Sequence, residues 1–128
     1  MLSEQKANTA SKMDQLLLLR NHALRVHSLL CNGHFGLEGF GAVLDETWRL
    51  KRGLAPAISN AKIDGWYEKA MTAGASGGKI CGAGGGGFLL IVAKPECQQA
   101  VRHALQDLKE VPLSYETRGS QVMLPFIG

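Results

Sequence analysis

The sequence predicts an α+β fold of four helices and an antiparallel four-stranded sheet, in the order ααα-ββ-α-ββ. Three observations point there. Up to Gly74 the apolar residues recur at steps of three and four, the spacing of one helix face. At Phe88-Leu89-Leu90-Ile91-Val92-Ala93 they become a continuous run, as in a buried strand. Past residue 110 two further apolar segments flank a turn at Arg118-Gly119, the mark of a hairpin. Helices followed by hairpins indicate helices packed on one face of an antiparallel sheet.

The first helix carries Leu16, Leu19, Ala23, Val26 and Leu30. It starts near Ser11 or Asp14 and stops at Asn32-Gly33, a favourable C-terminal pair. The second has Leu37, Phe40, Leu44 and Trp48, and ends between Gly53 and Pro56. The short connection makes the two an antiparallel helical hairpin. Ser59 and Asn60 both suit the N-cap of a third helix, whose stripe is Ile63, Trp66, Tyr67, Ala70 and Met71. Lys79-Ile80-Cys81 reads as a short strand before the Phe88–Ala93 run. Pro95 opens a fourth helix with Val101, Ala104, Leu105 and Leu108 inward. Strands near 111–117 and 121–127 close the chain. The tail ββαββ is not a dinucleotide fold, in which strands alternate with helices.

The chain has 128 residues, enough for a single domain over 1–128. Its formal charge of +3 comes with no basic run, so nucleic acid is not an expected partner. No apolar run approaches the roughly 18 residues of a membrane span. Cys31, Cys81 and Cys97 form no CxxC and the histidines no HxxxH. Neither a disulfide framework nor a metal site is expected, and a reducing cytoplasm fits best. Glycine is the outlier, 16 residues in all with eight between Gly74 and Gly87.

Gly82-Ala83-Gly84-Gly85-Gly86-Gly87 separates two strands. Five glycines in six residues cost folding entropy, so something compensates. Consecutive free N–H groups in such a loop can attract phosphate oxygens; a plain flexible hairpin is the competing explanation. Gly82, Gly84 and Gly87 satisfy G-x-G-x-x-G, but a strand follows where that fingerprint needs a helix.

From Gly77 to Phe88 the residues GGKICGAGGGGF closely resemble the third signature motif of the GHMP small-molecule kinases, approximately G-[AG]-K-x-[ST]-G-A-G-G-G-G. That superfamily includes galactokinase, homoserine kinase, mevalonate kinase and phosphomevalonate kinase. Cys81 departs from the usual Ser or Thr. Trp48-Arg49-Leu50-Lys51, then Leu54 to Asp64, and Ser3-Glu4-Gln5-Lys6-Ala7-Asn8 are similar to the branch of D-glycero-D-manno-heptose 7-phosphate kinase and related sugar kinases. The resemblance covers nearly the whole chain. It implies the C-terminal domain of an enzyme that moves the ATP γ-phosphoryl group to a sugar hydroxyl, with Mg2+ bridging phosphates. It also implies that residues Gly82 to Gly87 line the cleft near ATP.

The family's ATP loop, P-x-x-x-G-L-G-S-S-A, has no counterpart in these residues. The expected partners are therefore an N-terminal kinase half and a sugar phosphate, and no residue here is expected to be catalytic. The chain alone is expected to turn over no ATP. Its uncovered apolar face is expected to invite dimerisation.

Four further residues are candidates for substrate binding. Lys79 can aim charge at a phosphate or lie solvated on its strand. Ser59 and Asp64 resemble a pair in related kinases, yet capping alone explains both. Lys51, with Arg52 and Lys62, can meet a sugar phosphate or form a solvated face. Trp48 and Trp66 sit on apolar stripes and read as core. The alternative function is a stand-alone metabolite-binding or regulatory module without catalysis.

Overall fold

A computed structural model describes residues 12–33, 35–54, 56–82 and 86–123. The helices are α1 (Met13–Cys31), α2 (Leu37–Arg52), α3 (Ala61–Thr72) and α4 (Gln98–Ala104), with strands β1 (Ala75–Cys81) and β2 (Phe88–Ala93) between α3 and α4. Single 3-10 turns precede α3 at Pro56–Ile58 and α4 at Pro95–Cys97. None of the described helices is long and apolar enough to cross a membrane.

The first two helices form the antiparallel hairpin. Gln15 near the start of α1 lies beside Gly53 at the end of α2, and Arg25 reaches back to Glu46 at 3.0 Å. Helix α1 buries no residue fully. Its half-buried seam is Gln15, Leu19, His22, Val26 and Leu29, while Ala23 and Leu30 of the expected stripe face solvent. With α2 as its main neighbour, α1 needs only a narrow heptad-like seam. Met13, Leu17 and Leu24 share its exposed side.

Helix α3 starts as its sequence dictates. The Asn60 side chain accepts a 3.0 Å bond from the Ile63 N–H, satisfying one orphan donor of the first turn. Asn60 rather than Ser59 is thus the cap. Ile63, Tyr67 and Ala70 are buried. Ile63 and Tyr67 join Trp48, Leu54, Ile58 and Ile80 in the main core. Trp48 is 2% exposed, and half-buried Trp66 packs on the same cluster. A smaller cluster of Ala70, Ala75 and Val101 seats α4. Beside it Cys97 Sγ lies where a side chain on Gly74 would have to stand.

The strands pair antiparallel, with Cys81 opposite Phe88, Lys79 opposite Leu90 and Ala75 opposite Ala93. Strand β1 begins four residues earlier than expected, because Gly77 and Gly78, which have little strand preference of their own, serve here as places of close packing. Gly77 lies so near α2 that a Cβ on it would fall 1.8 Å from the Gly41 carbonyl oxygen.

The described sheet has two strands, not the expected four. Residues 111–123 form no strand and are exposed throughout; the rest of the expected last strand, 124–127, lies outside the described residues. The alternation Val111, Leu113, Tyr115 is strand-like, with exposures of 51%, 70% and 91%. A strand, however, is completed by a neighbour that takes its N–H and C=O groups. Among the described residues none lies beside this segment.

Candidate phosphate-facing hairpin

Strands β1 and β2 hold the glycine loop between them. The Cys81–Phe88 pair is its last rung. Gly82 and Gly87 stand next to that rung with φ of +125° and +104°, a region that side chains rarely enter. A Cβ on Gly87 would also lie 2.3 Å from the Cys81 carbonyl oxygen. Hairpin closure therefore accounts for these two glycines without a ligand. Gly86 differs. No described residue lies within 4 Å of a would-be Cβ on it. In this it is like Gly33, Gly36, Gly39 and Gly65, where a side chain would also meet none of the described residues. Ala83, Gly84 and Gly85 lie outside the described residues.

Lys79 is two positions before Cys81. Because strand side chains alternate, it faces away from core residue Ile80, on the side shared with Cys81, Leu90 and exposed Phe88. Among the described residues it makes no ion pair, so its ammonium is available to an anion.

The other candidates meet where α2 ends and α3 begins. Arg52 Nη1 lies 2.7 Å from Asp64 Oδ1, and Ser59 Oγ donates to the same oxygen at 2.8 Å. Partial burial pushes the Asp64 carboxyl up, but the bonds from Ser59 and Arg52 outweigh it and hold the group below its usual range. These three residues tie two helices together. Arg52, grouped with Lys51 and Lys62 as either a phosphate contact or a solvated face, is engaged by Asp64. Lys51 and Lys62 make no ion pair among the described residues.

This tie predicts an acid sensitivity. A carboxylate whose pKa is lowered by folding contributes stability above its unfolded pKa, near 3.9. The contribution is lost as pH falls through the folded value. Asp64→Asn should destabilise by roughly 1 kcal/mol or less at neutral pH, because the pair is partly exposed. The difference from wild type should shrink below about pH 4. Urea melts at two pH values would check this; an equal difference at both would show that Asp64 is not protonated in that range.

A second polar cluster was not foreseen. Tyr67, with no exposed surface, donates its hydroxyl to Asp45 Oδ1 at 2.6 Å. Arg49 Nε holds both oxygens of Asp45 at 3.1 and 3.0 Å. Burial first, and then the bond to Asp45, push the Tyr67 phenol above its ordinary value, so it stays a neutral donor. A backbone contact from Gly78 acts in the opposite direction. The cluster thus joins α2, α3 and the strand leading to Lys79. The i,i+4 pair Asp45 and Arg49 was visible in the sequence, but nothing local marked Tyr67 as its partner.

Helices folded against a glycine-closed hairpin, with one lysine facing out beside it, define an α+β domain that presents a backbone loop. Residues 27–110 match the family model described as GHMP kinases C terminal, and the chain belongs to that family. It is 27% identical over 90 residues to a D-glycero-alpha-D-manno-heptose 7-phosphate kinase of Campylobacter jejuni, a match spanning 70% of this chain and 26% of that protein. It is 41% identical over 75 residues to a bifunctional fucokinase/GDP-fucose pyrophosphorylase of Arabidopsis thaliana, covering 58% of this chain and 7% of the other. The crystal structure of L. major mevalonate kinase in complex with R-mevalonate superposes with a TM-score of 0.66 at 19% identity, over 82% of this chain and 32% of that one. The chain therefore spans about a quarter of the heptose kinase.

Proposed function

We propose that this chain is the C-terminal part of an ATP-dependent sugar kinase, with a heptose phosphate as substrate. The observation that carries the reading is the match of residues 27–110 to the GHMP kinase C-terminal family, with the glycine loop held between β1 and β2. Two of the relatives are named as kinases of sugars, and this supports a sugar hydroxyl as the acceptor.

In the complete enzyme the hairpin borders the phosphates of ATP. Phosphoryl transfer rests on positioning and charge stabilisation. The residues of this chain supply backbone N–H groups along the loop and one ammonium, Lys79, beside it. Gly86 lets a phosphate or its carrier come within contact distance of the main chain. Lys51 and Lys62 remain as cations for a substrate phosphate, whereas Ser59 and Asp64 act by fixing the start of α3. Among the described residues no group of three His, Cys, Asp or Glu side chains could hold a metal ion. Magnesium, when bound in a complete kinase, would supply charge neutralisation at the phosphates. The acid that acts on the sugar hydroxyl belongs to the N-terminal half.

The test is a kinase reconstituted from this chain and its N-terminal half. Gly86→Val should lower kcat/KM at least ~100-fold, about 2.7 kcal/mol of transition-state stabilisation, with little change in the thermal midpoint of this chain. Gly87→Val should instead lower that midpoint, since the hairpin cannot close over it. Full activity in a folded Gly86→Val enzyme would return the loop to the plain-hairpin explanation. This chain alone should show no ATP turnover.

A further inference from the structure

Helix α1 carries two rows of residues on opposite sides. The seam toward α2 is Gln15, Leu19, His22, Val26 and Leu29, all half-buried. The same spacing displaced by two positions gives Met13, Leu17, Arg20 and Leu24. At about 3.6 residues per turn, a displacement of two is a rotation of ~200°. The second row therefore lies on the far side of the helix. Met13, Leu17 and Leu24 are 48%, 39% and 62% exposed. Arg20, set between Leu17 and Leu24, is exposed too and makes no ion pair among the described residues.

A helix on the surface of one core needs one apolar stripe. A second apolar row on the opposite side belongs to a helix packed between two layers, and the described residues supply one of them. Residues 13–26 stand ahead of the region 27–110 matched to a kinase C-terminal family. The chain spans 26% of the heptose kinase and 32% of the mevalonate kinase. In a longer enzyme of that arrangement the chain enters this domain through α1, so α1 is the element nearest the N-terminal half. A second copy is the poorer occupant. Pairing two such rows about a two-fold axis brings each Arg20 close to its counterpart, and like charges set against each other cost affinity.

We propose that the outer row of α1 is the surface on which the N-terminal kinase half docks, laying an apolar strip over Met13, Leu17 and Leu24 and a carboxylate opposite Arg20. This docking rests on the kinase reading of the chain. Burial of the three apolar side chains supplies the attraction. A cation within the strip selects a partner of complementary charge and fixes its register. The row faces away from α2, and so from the hairpin on which α2 packs. It assembles the enzyme without touching the phosphates.

Calorimetric titration of the separate N-terminal half into the 128-residue chain, followed by assay of the pair with ATP and a heptose phosphate, tests it. The double variant Leu17→Lys, Leu24→Lys should weaken association at least ~30-fold. Its helical circular dichroism should be unchanged, because both residues lie outside the core. Arg20→Glu should weaken association at least ~5-fold, and less at high salt. Leu30→Lys, exposed on another side of α1, should leave affinity unchanged. At saturating N-terminal half the double variant should regain the kcat of wild type. Wild-type affinity in the double variant would overturn the docking, and turnover by that same pair would leave the kinase reading standing. Association that depends on the row but gives no turnover would uphold the docking and count against the kinase reading alone. Failure of the two halves to associate would overturn both. A dimer of this chain alone that the double variant breaks would assign the row to a second copy and overturn the docking.

Discussion

Replacing Gly77 by valine should abolish cooperative folding, and alanine there should cost at least ~3 kcal/mol, the upper end of ordinary overpacking. A Cβ at this position would fall 1.8 Å from the carbonyl oxygen of Gly41 and 2.6 Å from its carbonyl carbon. Both are backbone atoms of α2, so no rotamer change can relieve the contact. The helix and the strand would have to separate. The reciprocal position is nearly as tight, since a Cβ on Gly41 would lie 2.3 Å from Ser76 Cβ. Gly41→Ala should therefore be destabilising too. Since the two sites touch, their effects should fall short of additive, because moving the helix away once relieves both clashes. Urea denaturation of both single variants and the double would measure this. Alanine at Gly77 within ~0.5 kcal/mol of wild type would show that the helix can shift freely.

Tyr67 should give the second large effect, with a graded pair of variants. Tyr67→Ala removes an aromatic ring with no exposed surface and should cost about 3–5 kcal/mol. Tyr67→Phe keeps the ring and removes only the hydroxyl bonded to Asp45 at 2.6 Å. It should cost about 1–2 kcal/mol. Asp45 still keeps its two bonds from Arg49 Nε, which is why the loss stays small. The Phe variant should also lose its coupling to Asp45. Adding Asp45→Asn to Tyr67→Phe should cost less than Asp45→Asn in wild type, a difference a double-mutant cycle resolves. Strict additivity would mean that the hydroxyl and carboxylate do not communicate.

Local signals in the sequence were read correctly by the chain itself. Asn60 caps α3 because its oxygen reaches the Ile63 N–H without help from elsewhere. The Phe88–Ala93 run forms β2, although only Val92 in it is buried and Phe88 is exposed, so it falls short of the buried strand its composition suggests. The glycine motif also led to the family now matched over residues 27–110. What was not legible depends on neighbours. The early part of β1 was hidden because Gly77 and Gly78 have no intrinsic strand preference, and only contact with α2 shows why they are there. The Tyr67–Asp45 bond joins positions 22 apart on different helices. The last two strands were expected from alternation alone, yet alternation states only what a segment would pair with. The candidate site divides in the same way: hairpin closure explains Gly82 and Gly87, while Arg52, open in the sequence to a phosphate or to solvent, is engaged by Asp64.

The three free thiols are graded by accessibility, with Cys31 exposed and Cys81 and Cys97 half-buried. Each marks a different part of the molecule. Cys31 ends α1, Cys81 forms the last rung below the glycine loop, and Cys97 sits against Gly74, where α3 gives way to β1. The protein thus carries its own set of reporters. With a thiol-reactive dye, Cys31 should label first. The lag at Cys81 would time the opening of the hairpin, and the lag at Cys97 the separation of α4 from the sheet, with no residue introduced.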